Sequence, residues 1–348
     1  MIIDARELPE NTNIETDVCI VGAGVAGLTL AREFIGQRFR VCVLESGGRK
    51  PDQQTQVLSQ GENIGNPYYP LETASARYLG GSSNFWHTAV DESCVGARMR
   101  PLDRIDFLER DWVPYSGWPF DKTHLEPFYE RAESICKIEP HGFDVSDWED
   151  PQERPRFSFM GDKVKTAIFK FVCRDLFTRD YPQEVARAVN ITTYLYANVV
   201  EIVADETLKT VSRLRVACLE GNKFWVSAKL FILAAGGIET PRLLLVSNKQ
   251  KDCGLGNQND LVGRFFMEHP HFSLDLDIYV PATEDVFKAA ALYAKATEVN
   301  GVPVMGKLSL SKEVLHREKL LNHVVQLYPR VAYYSSLRQF FYPNIVSA

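Results

Sequence analysis

The fold is decided by the stretch Asp17-Val-Cys-Ile-Val-Gly22-Ala-Gly24-Val-Ala-Gly27-Leu-Thr-Leu. Its run Val18–Val21 is continuous and rich in β-branched residues, which is typical of a strand buried on both faces of a parallel sheet. The three glycines follow at the G-x-G-x-x-G spacing of a dinucleotide-binding turn. The first permits the tight turn, the second lets the backbone approach a pyrophosphate, and the third lets the next helix pack closely on the strand.

The residues after this turn complete a strand–helix–strand unit. The pattern predicts a helix from about Val25 to Gly36 and a second buried strand over Val41–Leu44, directly followed by Glu45. Glu45 lies 18 residues after Gly27, close to the roughly 20 at which an acidic side chain binds the adenosine ribose. Glu45 does not separate FAD from NAD, but it disfavours a 2′-phosphate, which it would repel.

Length and composition indicate a globular chain with enough residues for one large domain or two. The 348 residues are 45% hydrophobic and 24% charged, which is ordinary for such proteins. The formal net charge is −6, and the sequence contains no block of basic residues. No nucleic-acid partner is therefore predicted. No apolar run approaches 18 residues and the N-terminus lacks the features of a signal peptide, so no membrane span and a cytoplasmic location are predicted.

The cysteines and histidines give no sign of a metal site. The seven cysteines contain no C-x-x-C pair, and two lie in predicted buried strands. All seven are therefore interpreted as small core residues of a reducing compartment. Glu268-His269-Pro270-His271 holds the one close histidine pair. Pro270 favours an extended segment over a metal-binding helical face, so no metal is predicted.

A second glycine motif follows a long segment, 47–78, that is predicted to be an irregular surface connection. The motif is Arg77-Tyr-Leu-Gly80-Gly81-Ser82-Ser83-Asn84-Phe85-Trp86. Its paired glycines let the backbone come close to a planar ligand, and the residues Ser82, Ser83 and Asn84 add hydrogen-bond donors. The alternative is an ordinary turn or linker, but a linker seldom continues directly into Asn-Phe-Trp.

From Ile191 onward the periodicity is that of short strands. The runs 199–202, 211–218 and 224–226, separated by polar turns, predict a small antiparallel meander. A buried strand is predicted over Leu230–Ala234, ending in Ala235-Gly236-Gly237, where small residues permit a cofactor to approach.

The remaining segments carry weaker patterns. Helices are predicted over Asp103–Asp111, from Thr123 or Pro127 to Ile135, and over Lys312–Leu321, and alternation at Leu274, Leu276 and Ile278 suggests a strand. The final run Tyr328–Tyr342 is rich in aromatic residues.

The motifs together resemble a known family. Gly22-x-Gly24-x-x-Gly27, Gly80-Gly81-Ser82-Ser83, Phe231–Leu244 and Leu261–Pro270 are similar to the successive N-terminal motifs of the glucose–methanol–choline (GMC) flavin oxidoreductases. The sugar- and polyol-oxidising branch, which includes pyranose oxidase-like enzymes, is the more similar through Trp86 and the stretch from Arg100 to Phe120. The resemblance implies an α/β fold, α+β overall. A Rossmann-like FAD-binding domain would have a parallel sheet and a small antiparallel meander, beside a substrate domain with an antiparallel sheet and helices.

The resemblance also implies domain boundaries and a site. The FAD-binding domain would comprise 12–96 and 190–271, and an incomplete substrate-binding domain 97–189 and 272–348. The implied FAD contacts are Gly22, Gly24, Gly27, Glu45, Gly80, Gly81, Ser82, Ser83, Asn84, Val199, Ala235 and Gly236. Val199 would contact adenine through its backbone. Some relatives attach FAD to a histidine two residues after the position of Ser83, and Phe85 stands there, so non-covalent FAD is predicted.

The implied reaction is the oxidation of an alcohol group, on a sugar or polyol, by hydride transfer from its CH–OH carbon to flavin N5. The family's histidine base lies near the C-terminus, so it is expected beyond Ala348, and no catalytic residue is assigned here. His269, His271 and His323 match no base position. The chain is thus expected to be the N-terminal part of a longer enzyme, with a small alcohol or sugar as substrate and oxygen, a quinone or a protein as electron acceptor.

Two other functions stay open at this point. The chain could be a non-catalytic FAD-binding chain or a truncated subunit that needs another polypeptide for activity. It could also be an NAD-dependent dehydrogenase, although that function leaves the motifs Gly80–Ser83 and Ala235–Gly237 unexplained.

Overall fold

The computed structural model describes residues 1–91, 93–139, 142–150, 152–269, 271, 278–281 and 283–329. The strands are β1 (Ile2–Asp4), β2 (Asn13–Val21), β3 (Val41–Leu44), β4 (Thr88–Ala89), β5 (Val95–Met99), β6 (Val164–Cys173), β7 (Ile191–Leu195), β8 (Asn198–Ala204), β9 (Val211–Ala217), β10 (Lys223–Leu233), β11 (Thr297–Val299), β12 (Val302–Leu310) and β13 (Val324–Val325). The α-helices are α1 (Val25–Glu33), α2 (Gln53–Gln56), α3 (Leu71–Ala74), α4 (Lys122–Ile135), α5 (Tyr181–Arg187), α6 (Gly236–Val246), α7 (Glu284–Ala294) and α8 (Lys312–Arg317). Pro270, the alternating Leu274 and Leu276, and the aromatic run beyond Pro329 lie outside the described residues.

The chain forms two compact units. Unit 1 comprises Met1–His87 and Arg174–Ser273, and unit 2 comprises Thr88–Cys173 and Leu274–Ala348. Relative to the predicted domains, residues 88–96 fall in unit 2 and residues 174–189 in unit 1. Helix α5 belongs to unit 1 because Val185 packs in one core cluster with Leu28, and Glu184 pairs with Arg32 at 2.7 Å. The roles of the two domains in binding cofactor and substrate stay predictions.

Unit 1 contains a seven-stranded sheet in the order β1-β7-β3-β2-β10-β9-β8. The first five strands pair in parallel, and β8, β9 and β10 form the antiparallel meander. The predicted strands Val18–Val21 and Val41–Leu44 are confirmed, and every residue of both is buried. The mixed α/β class with a parallel sheet and a small meander is therefore confirmed.

The end of the meander differs from the prediction. The two strands expected over 224–226 and 230–234 are one continuous strand, β10. Lys223–Val226 pair with β9 on one side, while Trp225–Leu233 pair with β2 on the other. Beyond Val226 no described strand lies on the β9 side, and the Leu230 side chain is half exposed. The prediction of a fully buried strand there was wrong.

Unit 2 contains an antiparallel sheet in the order β11-β12-β6-β5-β4, with β13 also paired to β12. Helices α4 and α7 pack on the same face of it. On this face Lys170 of β6 reaches Glu133 of α4, and a Cβ on Gly306 of β12 would lie 3.1 Å from Leu292 Cγ of α7. An antiparallel sheet with helices is therefore confirmed for this part of the chain.

The helix predictions in unit 2 are right in position and wrong in length. Asp103–Asp111 holds only one 3-10 turn, Arg104–Phe107, because a capping box of Asp103 and Asp106 satisfies the backbone within a few residues. Helix α4 begins earlier than predicted, since the side chain of Asp121 accepts a hydrogen bond from the Thr123 amide and caps it. Helix α8 ends at Arg317.

The cysteines are only partly as predicted. Cys19, Cys42 and Cys218 are buried thiols, but Cys94 and Cys173 form a disulfide with a Cα–Cα distance of 5.8 Å. The pairing of β5 with β6 sets Gly96 opposite Cys173 and so brings Cys94 close to it. The interpretation of all seven cysteines as small core residues was therefore wrong for this pair, whose members are 79 residues apart. It was also wrong for Cys253, which is exposed.

Within the described residues, no helix is long and apolar enough to cross a membrane. Within the same residues no group of three or more His, Cys, Asp or Glu side chains is arranged to hold a metal ion.

Candidate dinucleotide-binding site

The G-x-G-x-x-G turn joins the end of β2 to the start of α1. Gly24 is the N-cap residue of α1 and has an extended backbone conformation. A Cβ on Gly27 would lie 1.9 Å from the Gly22 carbonyl oxygen, whereas the nearest protein atom to a Cβ on Gly24 would be the Gly81 Cα, at 3.7 Å. Gly27 therefore serves the packing of helix on strand. Gly24 leaves space at the helix N-terminus, where exposed N–H groups favour a phosphate.

Glu45 holds this turn from the end of β3. Its side chain is buried, and its two oxygens accept hydrogen bonds from the amides of Ala23 at 2.9 Å and Gly47 at 3.0 Å. Burial raises the pKa of Glu45, and the two amides and the positive Arg77 act in the opposite direction. A carboxylate oxygen can accept more than one hydrogen bond, so Glu45 retains acceptor capacity for a ribose hydroxyl.

The second glycine motif lies directly against the first. The Gly80 amide donates to the Ala23 carbonyl at 2.9 Å, and a Cβ on Gly81 would lie 2.8 Å from the Gly24 Cα. Gly80 and Gly81 have φ angles of 97° and 57°, a backbone conformation that favours glycine. Two motifs far apart in sequence thus form one loop cluster.

The polar residues of this motif are used in different ways. The Ser83 hydroxyl is buried and donates to the Gly80 carbonyl at 2.7 Å. The Asn84 amide donates to the carbonyls of Leu79 and Gly81. Ser82 is exposed. In the structure Ser83 and Asn84 therefore stabilise the turn itself, and their contact with a cofactor stays a prediction.

A third motif, Ala235-Gly236-Gly237, reaches the same edge of the sheet. The amide of Ala234 donates to the Val21 carbonyl at 2.8 Å, next to the parallel pair Leu233 and Val21. Ala235 is the N-cap residue of α6, which begins at Gly236. Because parallel neighbours end at one edge of a sheet, α1 and α6 both begin beside the glycine cluster.

An open pocket of about 250 Å³ lies on unit 1 and is lined by Arg77, Asn198, Val199, Cys218, Leu219 and Arg242, among others. The Ala197 amide donates to the Glu45 backbone carbonyl at 2.9 Å, so this wall of the pocket begins beside the acidic residue. Two buried polar atoms of the wall, Arg77 Nε and Asn198 Oδ1, have no hydrogen-bond partner among the described residues. One donates and the other accepts, as the groups of an adenosine require. The pocket therefore fits the adenosine part of FAD.

An ion pair that sequence reasoning missed connects the second motif to the third. Arg77 Nη1 lies 3.2 Å from a carboxylate oxygen of Glu239, and their side chains are only 11% and 15% exposed. The Arg77 amide also donates to Gln56. The available signal was an arginine three residues before Gly80 and a glutamate three residues after Gly236, but their proximity depends on the fold.

Glu239→Gln is expected to lower the free energy of unfolding by about 3 kcal/mol, because it removes the carboxylate that pairs directly with the largely buried Arg77. Glu239 also pairs with the half-exposed Arg242, and loss of an exposed partner costs less than about 1 kcal/mol. Arg242→Gln is thus the matched control. Urea unfolding of both variants measures the difference, and equal small losses would mean that the Arg77 pair is not structurally important.

The parallel sheet, the glycine cluster and the acidic residue together have the arrangement of a dinucleotide-binding fold. No family model matches the chain. It is 46% identical over 338 residues to the fructose dehydrogenase large subunit of Gluconobacter japonicus. The aligned region covers 78% of this chain and 61% of that protein. The chain is 32% identical over 310 residues to 2-methyl-1,2-propanediol dehydrogenase of Mycolicibacterium austroafricanum, with coverages of 73% and 55%.

Solved structures with similar coordinates include pyridoxine 4-oxidase from Mesorbium loti, with a TM-score of 0.39, 21% identity and coverages of 66% of this chain and 51% of that one. Formate oxidase gives a TM-score of 0.35, 17% identity and coverages of 68% and 48%. With its motif set and these sequence relatives, the chain belongs to the GMC family of flavin oxidoreductases. It spans 61% and 55% of the lengths of the two sequence relatives.

Proposed function

We propose that this chain is the FAD-binding part of an enzyme that oxidises an alcohol group of a sugar or polyol, and that its FAD is bound non-covalently. The observation that carries the proposal is the convergence of three glycine motifs and Glu45 at one edge of the parallel sheet. An ordinary turn would need none of the contacts between the motifs.

The sequence relatives support the substrate class. The two proteins are named dehydrogenases of fructose and of 2-methyl-1,2-propanediol, and each of these compounds carries hydroxyl groups. The proposal extends that class, an alcohol with neighbouring hydroxyl groups, to this chain.

The chain's own residues would share the work of holding FAD. The N-terminus of α1, with the space beside Gly24, would take the pyrophosphate, and Glu45 would accept from the ribose. Arg77 Nε and Asn198 Oδ1 would pair with adenosine at the pocket that Val199 also lines. When bound, FAD supplies the hydride acceptor for the CH–OH carbon.

A proton acceptor is not assigned to this chain. His269 and His323 are exposed, and no described contact connects either to the glycine cluster. The removal of the hydroxyl proton is therefore not assigned to a residue of this chain. Deprotonation of the alcohol as the hydride leaves would follow ordinary general base catalysis.

The first experiment is the visible absorption spectrum of the purified chain, before and after acid precipitation. A flavin band that moves into the supernatant is expected, because Phe85 has no nucleophilic atom. Flavin that stays with the pellet would contradict the non-covalent proposal. His87 is exposed and lies two residues after Phe85, so His87→Ala is the control. If flavin stays with the wild-type pellet but is released from this variant, His87 is the attachment site.

If the purified chain is colourless, titration with FAD and with NAD determines which cofactor it binds. Binding of FAD supports the proposal, whereas binding of NAD alone would overturn it. A chain that binds FAD and oxidises alcohols only after a second polypeptide is added would be the subunit of the alternative proposal.

A further inference from the structure

Two basic side chains in unit 2 converge on one amide oxygen. Lys307, in the middle of β12, is 3% exposed, and its Nζ donates to Gln326 Oε1 at 3.0 Å. Arg98 of β5 donates from Nη1 to the same oxygen at 2.9 Å. Among the described residues, no carboxylate lies within salt-bridge distance of either cation.

The register of the sheet places these groups on one face. Lys307 is opposite Ala167 of β6, and Arg98 is opposite Phe171 of the same strand. Phe169 lies between them, with its ring centroid 5.3 Å from Lys307 Nζ. Helices α4 and α7 pack on the other face, so this basic face does not serve their packing.

A lysine on the opposite face of the same sheet, Lys170, is also buried but has a carboxylate partner. Lys170 is fully buried on the helix-covered face. Its Nζ lies 2.8 Å from a Glu133 carboxylate oxygen and donates to the Glu139 carbonyl, with the Phe143 ring 4.3 Å away. Lys170 therefore has a counter-charge, and Lys307 has none within the described part of the chain.

The acidic residue Asp103, which pairs with the neighbouring Arg100, is already engaged. Asp103 lies 3.4 Å from Arg100 and accepts a hydrogen bond from Asn322 at 3.1 Å. Burial and the like charge of Arg98 lower the pKa of Lys307 to about 8. Lys307 is buried and Arg98 beside it is partly buried. A buried cation next to a like charge is costly without an anion, and such perturbed groups are frequent at functional sites.

We propose that Lys307 and Arg98 form a binding site for an oxyanion, the carboxylate or phosphate group of a small organic molecule. The Gln326 oxygen, within 3.0 Å of both cations, marks a position that an oxygen of the anion can take. Arginine and lysine are the residues that bind such groups. Phe169 supplies an apolar surface for the rest of the molecule.

The test is isothermal titration of the full chain with acetate and, separately, with inorganic phosphate, at constant ionic strength and pH 7. Binding of one or both at one site per chain is expected, and the two titrations identify the preferred anion. Lys307→Met and Arg98→Met should each weaken it at least tenfold. Lys165→Met, which removes another lysine of the same face opposite Ser309, should leave it unchanged.

The pH dependence separates the site from a loss of folding in the variants. The other charged groups near Lys307 are Arg98, Arg100, Lys165 and Asp103, and the pKa of Lys307 itself is lowered to about 8 by burial and by the charge of Arg98. Acetate binding should therefore weaken as the pH rises through about 8 in the wild type and in Lys165→Met, as Lys307 loses its proton.

Absence of binding by both anions, or unchanged affinity in a folded Lys307→Met, would overturn the proposal. The site needs no flavin, so its failure and the failure of the proposed function are distinguishable.

Discussion

Gly27→Ala is expected to lower the free energy of unfolding of unit 1 by about 3 kcal/mol or more, as overpacked sites do when the backbone itself is the obstacle. The added Cβ would lie 1.9 Å from the Gly22 carbonyl oxygen and 3.0 Å from its carbon. Neither atom can move without separating α1 from β2. Urea unfolding followed by circular dichroism measures the loss.

Gly24→Ala is the matched variant, since it adds the same methyl group three residues away. Its nearest protein neighbour would be 3.7 Å distant and its backbone is already extended. Stability should change by no more than about 1 kcal/mol, as for replacement of an N-cap glycine by alanine. The methyl group would fill the space that we propose for the pyrophosphate, so FAD affinity should fall about a hundredfold, or roughly 3 kcal/mol.

The two variants together separate folding from binding. Unchanged FAD affinity in Gly24→Ala would show that no phosphate approaches this turn and would remove the main support for the dinucleotide site. A fully stable Gly27→Ala would show that helix and strand do not need the close approach.

The parts of the fold that sequence predicted well are those fixed by local pattern. Val41–Leu44 was predicted to the residue, and α1 begins at Val25 as expected, because glycine spacing and buried runs act within about 30 residues. The meander was also predicted from strand length and turns. Its last strand was divided in two because Ser227 to Lys229 interrupt the apolar pattern, while pairing with β2 continues through them.

The parts that sequence could not predict depend on which distant strands are neighbours. Arg77 and Glu239 meet only because their two motifs reach one sheet edge. Lys307 and Arg98 meet because β12, β6 and β5 pair in a particular register. A single sequence gives the residue types at these positions but not the register that brings them together.

The Cys94–Cys173 disulfide is the clearest example of such a long-range contact, and its removal should have the second large effect. A bond that closes a loop of about 79 residues restricts the unfolded chain, which corresponds to about 4 kcal/mol in the loop-entropy account. The double variant Cys94→Ala/Cys173→Ala should therefore lower the unfolding temperature of unit 2. Reducing agent should lower it in the wild type and leave the double variant unchanged.

Cys253→Ser is the control for this prediction, because Cys253 is an exposed free thiol and its loss should not alter the response to reducing agent. Identical responses of the wild type and the double variant would show that the bond does not form in solution.

Peptide mapping of protein alkylated at the moment of cell lysis tests where the chain resides. Structural disulfides persist in oxidising compartments and are rare in the cytosol, so an oxidised pair in that sample would overturn the cytoplasmic prediction, and two alkylated thiols would support it.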